Sequence, residues 1–204
     1  MIENFLTKIK MTHHQVHFPK TMAGWKDEFK KAFEIVKLNK TVMNAVAADE
    51  KATGVAILFF LLYGLFGAVG RFIFPVRVFG VVYRPGIEDM IFRTLVYGAV
   101  SFLSMLLITV VAQYLFKGKG DLMKYLRVYG YAMLVGAVML IPALSFIVMI
   151  WIVVLMFVTL QVVHKLDVAE TIGSMIIGTI LTVIVLAVLS PFLGLSALFY
   201  YSAF

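Results

Sequence analysis

The stretch that decides the fold is "VYGYAMLVGAVMLIPALSFIVMIWIVVLMFVTLQVV", residues 128–163, which contains no Asp, Glu, Lys, Arg or His in 36 residues. As one α-helix it would be about 54 Å long at 1.5 Å per residue, whereas the hydrocarbon core of a bilayer is about 30 Å thick. Pro142, within "IPALS", lacks the amide hydrogen that a continued helix would use. We therefore predict two membrane-spanning helices, near residues 124–141 and 144–163, joined by a tight turn.

The composition of the whole chain indicates a membrane protein. Its 204 residues are 62% hydrophobic and only 14% charged, with a mean hydropathy of +0.99, whereas a soluble domain is about a quarter charged. Long uncharged runs predict further spans near residues 52–70, 92–116 and 172–189, followed by an apolar C-terminal tail. The sequence thus predicts an all-α integral membrane protein in which residues 52–204 form a membrane domain with five transmembrane helices.

The N-terminal region, residues 1–51, is polar and contains nine lysines and six acidic residues. Apolar residues recur within it at steps of three and four, at Met22, Trp25, Phe29, Phe33 and Val36. This spacing is typical of an amphipathic helix that lies in the membrane interface. The alternative, in which the apolar stripe packs on the protein's own loops, stays open, and both can hold.

The distribution of basic residues predicts the topology. Fourteen Lys and Arg residues fall in the N-terminal region, the 117–127 loop and the loop after the fourth span, against three or four in the remaining loop. By the positive-inside rule the N terminus is cytoplasmic, and five spans place the C terminus outside. The basic residues predicted to meet anionic lipid headgroups are Lys26, Lys30, Lys31, Lys37, Lys117, Lys119, Lys124 and Arg127. We expect the lipid bilayer, and not nucleic acid, to be their partner.

Motifs for catalysis or cofactor binding are not found in the sequence. The chain has no cysteine, and it contains no phosphate-binding loop, dinucleotide fingerprint or nucleophile elbow. His13 and His17 are four residues apart and are weak candidates for a shared metal ion, but they lack a third ligand at a clear spacing. No Asp or Glu lies within the five predicted spans, which disfavours a proton or ion relay. We therefore expect no enzymatic activity, no cofactor and no metal.

Small residues at helical spacing predict close helix packing. They are Gly64 and Gly67 in the first span, Ala132 and Gly136 in the third, and Ser174 and Gly178 in the fifth. Such positions let helix backbones approach one another. Their partners are neighbouring helices, other membrane proteins or a second copy of the chain.

A basic "GKGD" loop precedes "LRVYGYA", which enters the third span, Pro142 follows about ten residues on, and "HKLD" comes after the fourth span. In this order the segments resemble the YIP family of Ypt/Rab-interacting membrane proteins. The matching motif positions are Tyr129, Gly130, Tyr131 and Pro142, to which the resemblance assigns structural and interaction roles. The resemblance also implies a cytoplasmic N-terminal region, five spans and no catalysis.

The resemblance implies an interaction function. Eukaryotic YIP proteins bind prenylated small GTPases and one another in vesicle transport between the endoplasmic reticulum and the Golgi. This chain departs from them because it lacks a long Pro- and Gly-rich region and a "DLYGP"-like element before the first span. These departures speak against a small GTPase partner and favour a short prokaryotic-type member in a cell membrane, with the endoplasmic reticulum or Golgi as the alternative.

We therefore expect a non-enzymatic membrane protein that organises membrane or recruits partners. The alternative is a small channel, transporter or lipid-handling component. Gln113 and Gln161 are among the deepest polar side chains in the predicted spans, and they would line its path.

Overall fold

The computed structural model describes residues 17–78, 81–83 and 86–189. Its seven α-helices are α1 (Met22–Val36), α2 (Lys40–Ala48), α3 (Ala52–Ile73), α4 (Ile87–Tyr114), α5 (Leu122–Ala132), α6 (Ser145–His164) and α7 (Val168–Leu189). Two 3-10 helices, Met133–Leu140 and Pro142–Leu144, connect α5 to α6. The helical class is confirmed for this part of the chain. The predicted apolar tail after residue 189 lies outside the described residues.

A short β-hairpin is the exception to the helical prediction. Strands β1 (Val76–Val78) and β2 (Val81–Tyr83) pair antiparallel, with Val78 opposite Val81. The sequence predicts only a loop here, between the first two spans. Its Val-rich composition suits paired strands.

Four helical segments are long and apolar enough to cross a membrane. They are Ala52–Ile73, Met90–Tyr114, Pro142–His164 and Val168–Leu189. They correspond to the first, second, fourth and fifth predicted spans, so the count of five is not confirmed. The fifth predicted span begins at Val168 rather than at residue 172. Asp167 and Glu170 form a reciprocal cap there, with backbone-to-carboxylate hydrogen bonds of 2.8 and 3.0 Å.

The third predicted span is a composite of α5 and the eight-residue 3-10 helix that follows it. Runs of 3-10 helix longer than three or four residues are uncommon. The composite lies beside α3 and runs in the same direction. A Cβ atom placed on Gly130 would lie 2.5 Å from the Ala56 carbonyl oxygen, and one on Gly136 would lie 2.5 Å from Cδ2 of Tyr63. Further on, Gly70 is in close contact with the Met139 carbonyl.

One end of the bundle collects the exposed lysines that lie between residue 51 and the start of α7, and we call it the basic end. It comprises the first turns of α3, α5 and α7 and the last turns of α4 and α6. The Lys119 amide donates to the His164 carbonyl oxygen at 2.9 Å, which joins the loop before α5 to the end of α6. Exposed lysines here are Lys51, Lys117, Lys119, Lys124 and Lys165.

The two N-terminal helices pack on the side of the bundle near the basic end. Thr21 caps α1 by accepting a hydrogen bond from the Gly24 amide at 3.1 Å, and Asn39 caps α2 in the same way. Ile35 of α1 and Met43 of α2 are completely buried. They belong to the same core as Tyr125 of α5. A helix is therefore present over the predicted stripe, and it packs on the bundle through Ile35, whereas Met22 and Phe33 of the stripe are exposed.

Candidate functional site

The loop before α5 is held in place by close backbone contacts. Gly120 lies so near α6 that a Cβ atom there would be 2.5 Å from the Val163 carbonyl oxygen, and its own carbonyl accepts a 2.7 Å hydrogen bond from Gln113 Nε2. Asp121 then caps α5 through its carboxylate, which accepts from the Lys124 amide at 2.8 Å. The "GKGD" sequence thus fixes the start of the helix that carries the Tyr-Gly-Tyr motif. The side-chain amide of Gln113 takes part in this by its hydrogen bond to Gly120.

Arg127 joins three helices at the basic end. Its Nε donates to Thr53 Oγ1 at 3.0 Å, and its Nη1 donates to the Ala47 carbonyl oxygen at 2.9 Å. Ala47 lies in the last turn of α2, where carbonyls have no partner within the helix and the helix dipole favours a cation. The residue is only 6% exposed. The prediction that Arg127 faces lipid headgroups is therefore wrong, because the guanidinium is used between helices.

Tyr131 connects the motif to α1. Its hydroxyl donates to the carboxylate of Glu28, which also accepts from Lys31 Nζ at 2.8 Å. The ring of Tyr131 packs edge-to-face on Phe59 at 5.3 Å between centroids, and Phe59 in turn contacts Phe29 of α1 at 5.3 Å. The motif tyrosine therefore holds α1 by both a charge-assisted hydrogen bond and aromatic packing.

The C-terminal end of α1 has its own attachment to the bundle. Trp151 Nε1 of α6 donates to the Val36 carbonyl oxygen at 3.0 Å. On α2, Asn44 Oδ1 accepts from Lys165 Nζ at 2.9 Å. The N-terminal helices are thus fixed to α5, α6 and the α6–α7 loop through side chains distant in sequence.

The other motif positions serve different surfaces. Tyr129 is buried and stacks on Tyr125 at 5.4 Å, and it lines a cavity between the helices. Gly130 allows contact with α3, as described above. Pro142 occupies the first position of the second 3-10 helix, where a missing amide hydrogen costs nothing. The adjacent residues Tyr129, Gly130 and Tyr131 thus contact different parts of the molecule, namely the cavity, α3 and α1.

The small residues predicted to pack lie against helices of the same chain. A Cβ atom on Gly64 would be 3.2 Å from the Thr94 carbonyl oxygen, and one on Gly178 would be 2.5 Å from Cγ1 of Ile108. Gly67 has only an ordinary contact, 3.7 Å from Cε of Met139. Ala132, Gly136 and Ser174 are buried. These contacts account for their spacing without a second copy.

The lysines predicted to meet headgroups differ in exposure. Lys26, Lys30, Lys37, Lys117, Lys119 and Lys124 are exposed, whereas Lys31 is half-buried beside Glu28. Lys37 pairs with Glu34 at 3.0 Å, and Lys124 pairs with Asp121 at 3.3 Å. Both ion pairs are largely exposed, so the lysines remain accessible at the surface.

The weak metal candidates do not form a site in the described residues. His13 lies outside them, and His17 lines an open groove of about 630 Å³ between α1 and the starts of α2 and α3, together with Glu28, Lys31 and Asp49. Within the part of the chain that the structure describes, no group of three or more His, Asp or Glu side chains is placed to hold a metal ion.

Sequence reasoning missed Glu28, Trp151 and His164. Glu28 precedes Phe29 of the apolar stripe and belongs to no motif in the sequence. Trp151 lies within the uncharged run and is not marked by any motif either. His164 is completely buried, 5.9 Å from Tyr125 between ring centroids, although it had been placed in a polar loop. Its position directly after a 36-residue uncharged run was the available signal.

Comparison with known protein families gives a match for this chain. A family model described as the Yip1 domain matches residues 39–201, which include α2 to α7 and the Tyr-Gly-Tyr motif. No curated protein and no solved structure matches the chain.

Proposed function

Because this chain belongs to the Yip1-domain family, we propose that it is a non-enzymatic multi-pass membrane protein that organises membrane or recruits partners at its basic end. The observation that carries the proposal is the outward surface of α1. Met22 and Phe33 are 86% and 59% exposed. Lys26, Lys30 and Lys37 are exposed on the same side of the helix. We call these five residues the outer face of α1.

The opposite side of α1 is held by Tyr131 and Trp151. The helix is therefore fixed with Met22 and Phe33 directed away from the bundle. A surface that alternates apolar and basic side chains suits an anionic membrane interface, where each lysine contributes about 1 kcal/mol. Other membrane proteins or a second copy are the further partners that we propose for this surface, and a small GTPase is not among them.

We also propose that α5 and the following 3-10 helix together form a fifth crossing. At 1.5 and 2.0 Å per residue, the two segments extend about 32 Å, enough for a hydrocarbon core. Their contacts with α3 continue from Ala56 to Gly70, along most of a helix that is itself long enough to span. With the basic end in the cytoplasm, five crossings place the C terminus outside. A prokaryotic cell membrane is the proposed location, and the endoplasmic reticulum or Golgi is the alternative.

Labelling of introduced cysteines tests this topology, because the chain has none of its own. Exposed Ala143 lies after the proposed crossing, and exposed Lys119 lies before it. In oriented vesicles, Lys119→Cys and the control Lys165→Cys should react with an impermeant thiol reagent from the cytoplasmic side. Ala143→Cys should react from the other side. Reaction of all three from one side would contradict a fifth crossing.

Site-specific photocrosslinking in native membranes tests the function. A photoreactive amino acid at Phe33 should capture lipid or a membrane protein, whereas the same group at Asn44, exposed on α2, should capture much less. Lys26→Glu with Lys30→Glu should reduce capture at Phe33. Capture at Phe33 no greater than at Asn44 would overturn the proposal. In reconstituted vesicles we expect solute flux no higher than without protein, and flux abolished by changing Gln161 would favour a channel or transporter instead.

A further inference from the structure

A cavity of about 340 Å³ lies between α4, α5, α6 and α7. Five of its lining residues have hydroxyl groups: Ser101, Ser104, Tyr129, Thr179 and Thr182. The sequence analysis did not single out this combination, because its members come from three separate helices. The cavity is on the side of the bundle formed by α4 and α7, away from α1.

The hydroxyl residues are arranged as two pairs and a buried tyrosine. Ser101 and Ser104 are three residues apart on α4, and Thr179 and Thr182 are three apart on α7, so each pair shares one helix face. Tyr129 enters from α5. Thr182 Oγ1 donates to the Gly178 carbonyl oxygen at 2.8 Å, and its lone pairs can still accept. The helices therefore direct both donors and acceptors at the same space.

The cavity is at the depth of the hydrocarbon core. Tyr129 is seven residues into α5, about 10 Å from the basic end, and Leu186, at the far side of the cavity, is eighteen residues into α7, about 27 Å. Thr179 and Val183, which also line it, are exposed on the surface of α7. Because the spans place that surface in lipid, a molecule dissolved in the bilayer can reach the cavity from the side.

The lining excludes charged ligands. None of the ten described lining residues is charged, so a phosphate or ammonium group bound there would lack a counter-charge in a medium of low dielectric, which is strongly unfavourable. Met105, Met156 and Val100 supply apolar surface instead. A volume of about 340 Å³ falls at the lower end of small-molecule sites. The suitable ligand is uncharged, mostly apolar and hydroxylated.

We propose that this cavity binds a lipid alcohol of the diacylglycerol type, which enters from the bilayer through the exposed side of α7. The hydroxyl and ester oxygens of the lipid form hydrogen bonds with the cluster around Tyr129, and the first part of an acyl chain occupies the apolar part while the rest of the lipid stays in the bilayer. The lipid hydroxyl can donate to one side chain and accept from another, as the mixed lining requires. The inference does not rest on the proposed function at α1, and either can fail without the other.

Photolabelling of the full-length protein in phosphatidylcholine vesicles tests the site. A photoreactive diacylglycerol should label peptides from α4, α5 or α7, and excess unlabelled diacylglycerol should abolish the labelling. The same probe with its hydroxyl acetylated, or a photoreactive phosphatidylcholine, should label these peptides at least fivefold less. Equal labelling by all three probes, or failure of the competition, would show ordinary contact with surrounding lipid and would overturn the proposal.

Variants locate the binding within the cavity. Tyr129→Phe combined with Thr179→Val removes two hydroxyls and retains the shapes, and it should reduce specific labelling at least fivefold. Ser104→Leu should do the same by filling the space. The matched control is Thr109→Val with Ser174→Ala, which removes buried hydroxyls of α4 and α7 that do not line the cavity, and it should leave labelling unchanged. Thermal unfolding checks that each variant is folded. The comparison of the three probes on the unaltered chain tests the proposal without relying on any variant.

Discussion

The side of the bundle formed by α1, α2 and α5 and the side formed by α4 and α7 are held together differently. On the first side, hydrogen bonds join residues distant in sequence, including Arg127 to Ala47 and Tyr131 to Glu28. On the second side the helices approach through glycine, with Gly178 against Ile108. Buried hydroxyl oxygens such as those of Thr109 and Ser174 have no hydrogen-bond partner among the described residues.

The contacts on the first side hold α1 in one orientation, whereas those on the second side bring α4 and α7 close together. Each polar contact between α1 and the bundle has one suitable geometry, so α1 is held in one orientation, which a surface for lipid or partners requires. Between α4 and α7, lipid provides no hydrophobic drive for association, and close contact of small residues supplies the attraction. Residues of α4 and α7 also line the hydroxyl-lined cavity. The following variants act on one side or the other.

The largest effect is expected on the α4–α7 side, from Gly178→Leu. A Cβ atom there would lie 2.5 Å from Cγ1 and 2.7 Å from Cα of Ile108, so the two helices must separate. Overpacking of this kind costs about 3 kcal/mol at its upper end. We expect a large fall in thermal unfolding temperature in detergent, with the contacts of α1 retained.

Gly98→Leu is the matched control for that variant. Gly98 is also within a membrane-spanning helix, but a Cβ atom there meets no described atom within 4 Å. Leucine has a better helix propensity than glycine, by up to about 1 kcal/mol, so the control should be neutral or slightly stabilising. An equal loss of stability in both variants would contradict the glycine contact between α4 and α7.

On the other side of the bundle, the largest effect is expected from Arg127→Met. It removes hydrogen bonds to Thr53 and Ala47, and losing a charge-assisted hydrogen bond of this kind costs about 2 kcal/mol. The loss should be local, so α2 should become much more sensitive to protease and to hydrogen exchange while α7 changes little.

Lys124→Met tests whether this result comes from position or from charge. Lys124 is one turn from Arg127, exposed and paired with the exposed Asp121 at 3.3 Å. The variant Lys124→Met should leave the protease sensitivity of α2 unchanged, because exposed ion pairs contribute about 0–1 kcal/mol to stability. If Lys124→Met released α2 as strongly as Arg127→Met, the three-helix contact would not be what holds it.

The contrast between Arg127 and Lys124 also shows how far the sequence predicts the site. Both are basic residues beside a membrane span, and the sequence assigned both to lipid headgroups. The burial of Arg127 depends on Ala47 and Thr53, which precede it by 80 and 74 residues, and no local pattern records that contact. The lysine positions of α1 were predictable because they follow a helical period that is visible in the sequence.

The membrane helices show a similar limit. Hydrophobicity and length located the helices Ala52–Ile73, Pro142–His164 and Val168–Leu189 within a few residues of the prediction. The change from α-helix to 3-10 helix at Met133 has no such signal, because "MLVGAVML" is uniformly apolar and contains no proline. This 3-10 helix contacts α3 through Gly136 and Tyr63. The contact exists only in the folded structure and leaves no local pattern in the sequence. The hydroxyl cavity was not predictable either, since its residues come from three helices.

A smaller effect is expected from Tyr131→Phe at the attachment of α1. The variant keeps the ring that packs on Phe59 and removes the hydrogen bond to Glu28. We expect a loss of about 1 kcal/mol, measured as faster hydrogen exchange in α1. Tyr114→Phe, at a position 71% exposed, should have no effect. Retention of normal exchange in Tyr131→Phe would mean that aromatic packing alone holds α1.

The smallest effect is expected at the turn between α1 and α2, where Glu34 accepts hydrogen bonds from Asn39 Nδ2 at 3.1 Å and from Lys37 Nζ at 3.0 Å. The Asn39 hydrogen bond, followed by that of Lys37, lowers the pKa of Glu34 below its ordinary value. A lowered pKa means that the folded state prefers the charged carboxylate. Its contribution to stability is therefore complete above the ordinary pKa of a glutamate and is lost as the pH falls through the lowered value. Glu34→Gln should unfold at a slightly lower temperature than the unaltered chain at pH 7, and the difference should shrink as the pH falls through the lowered pKa, below which both side chains are neutral. A difference that does not change as the pH is lowered would mean that the substitution acts through the shape of the turn and not through its charge.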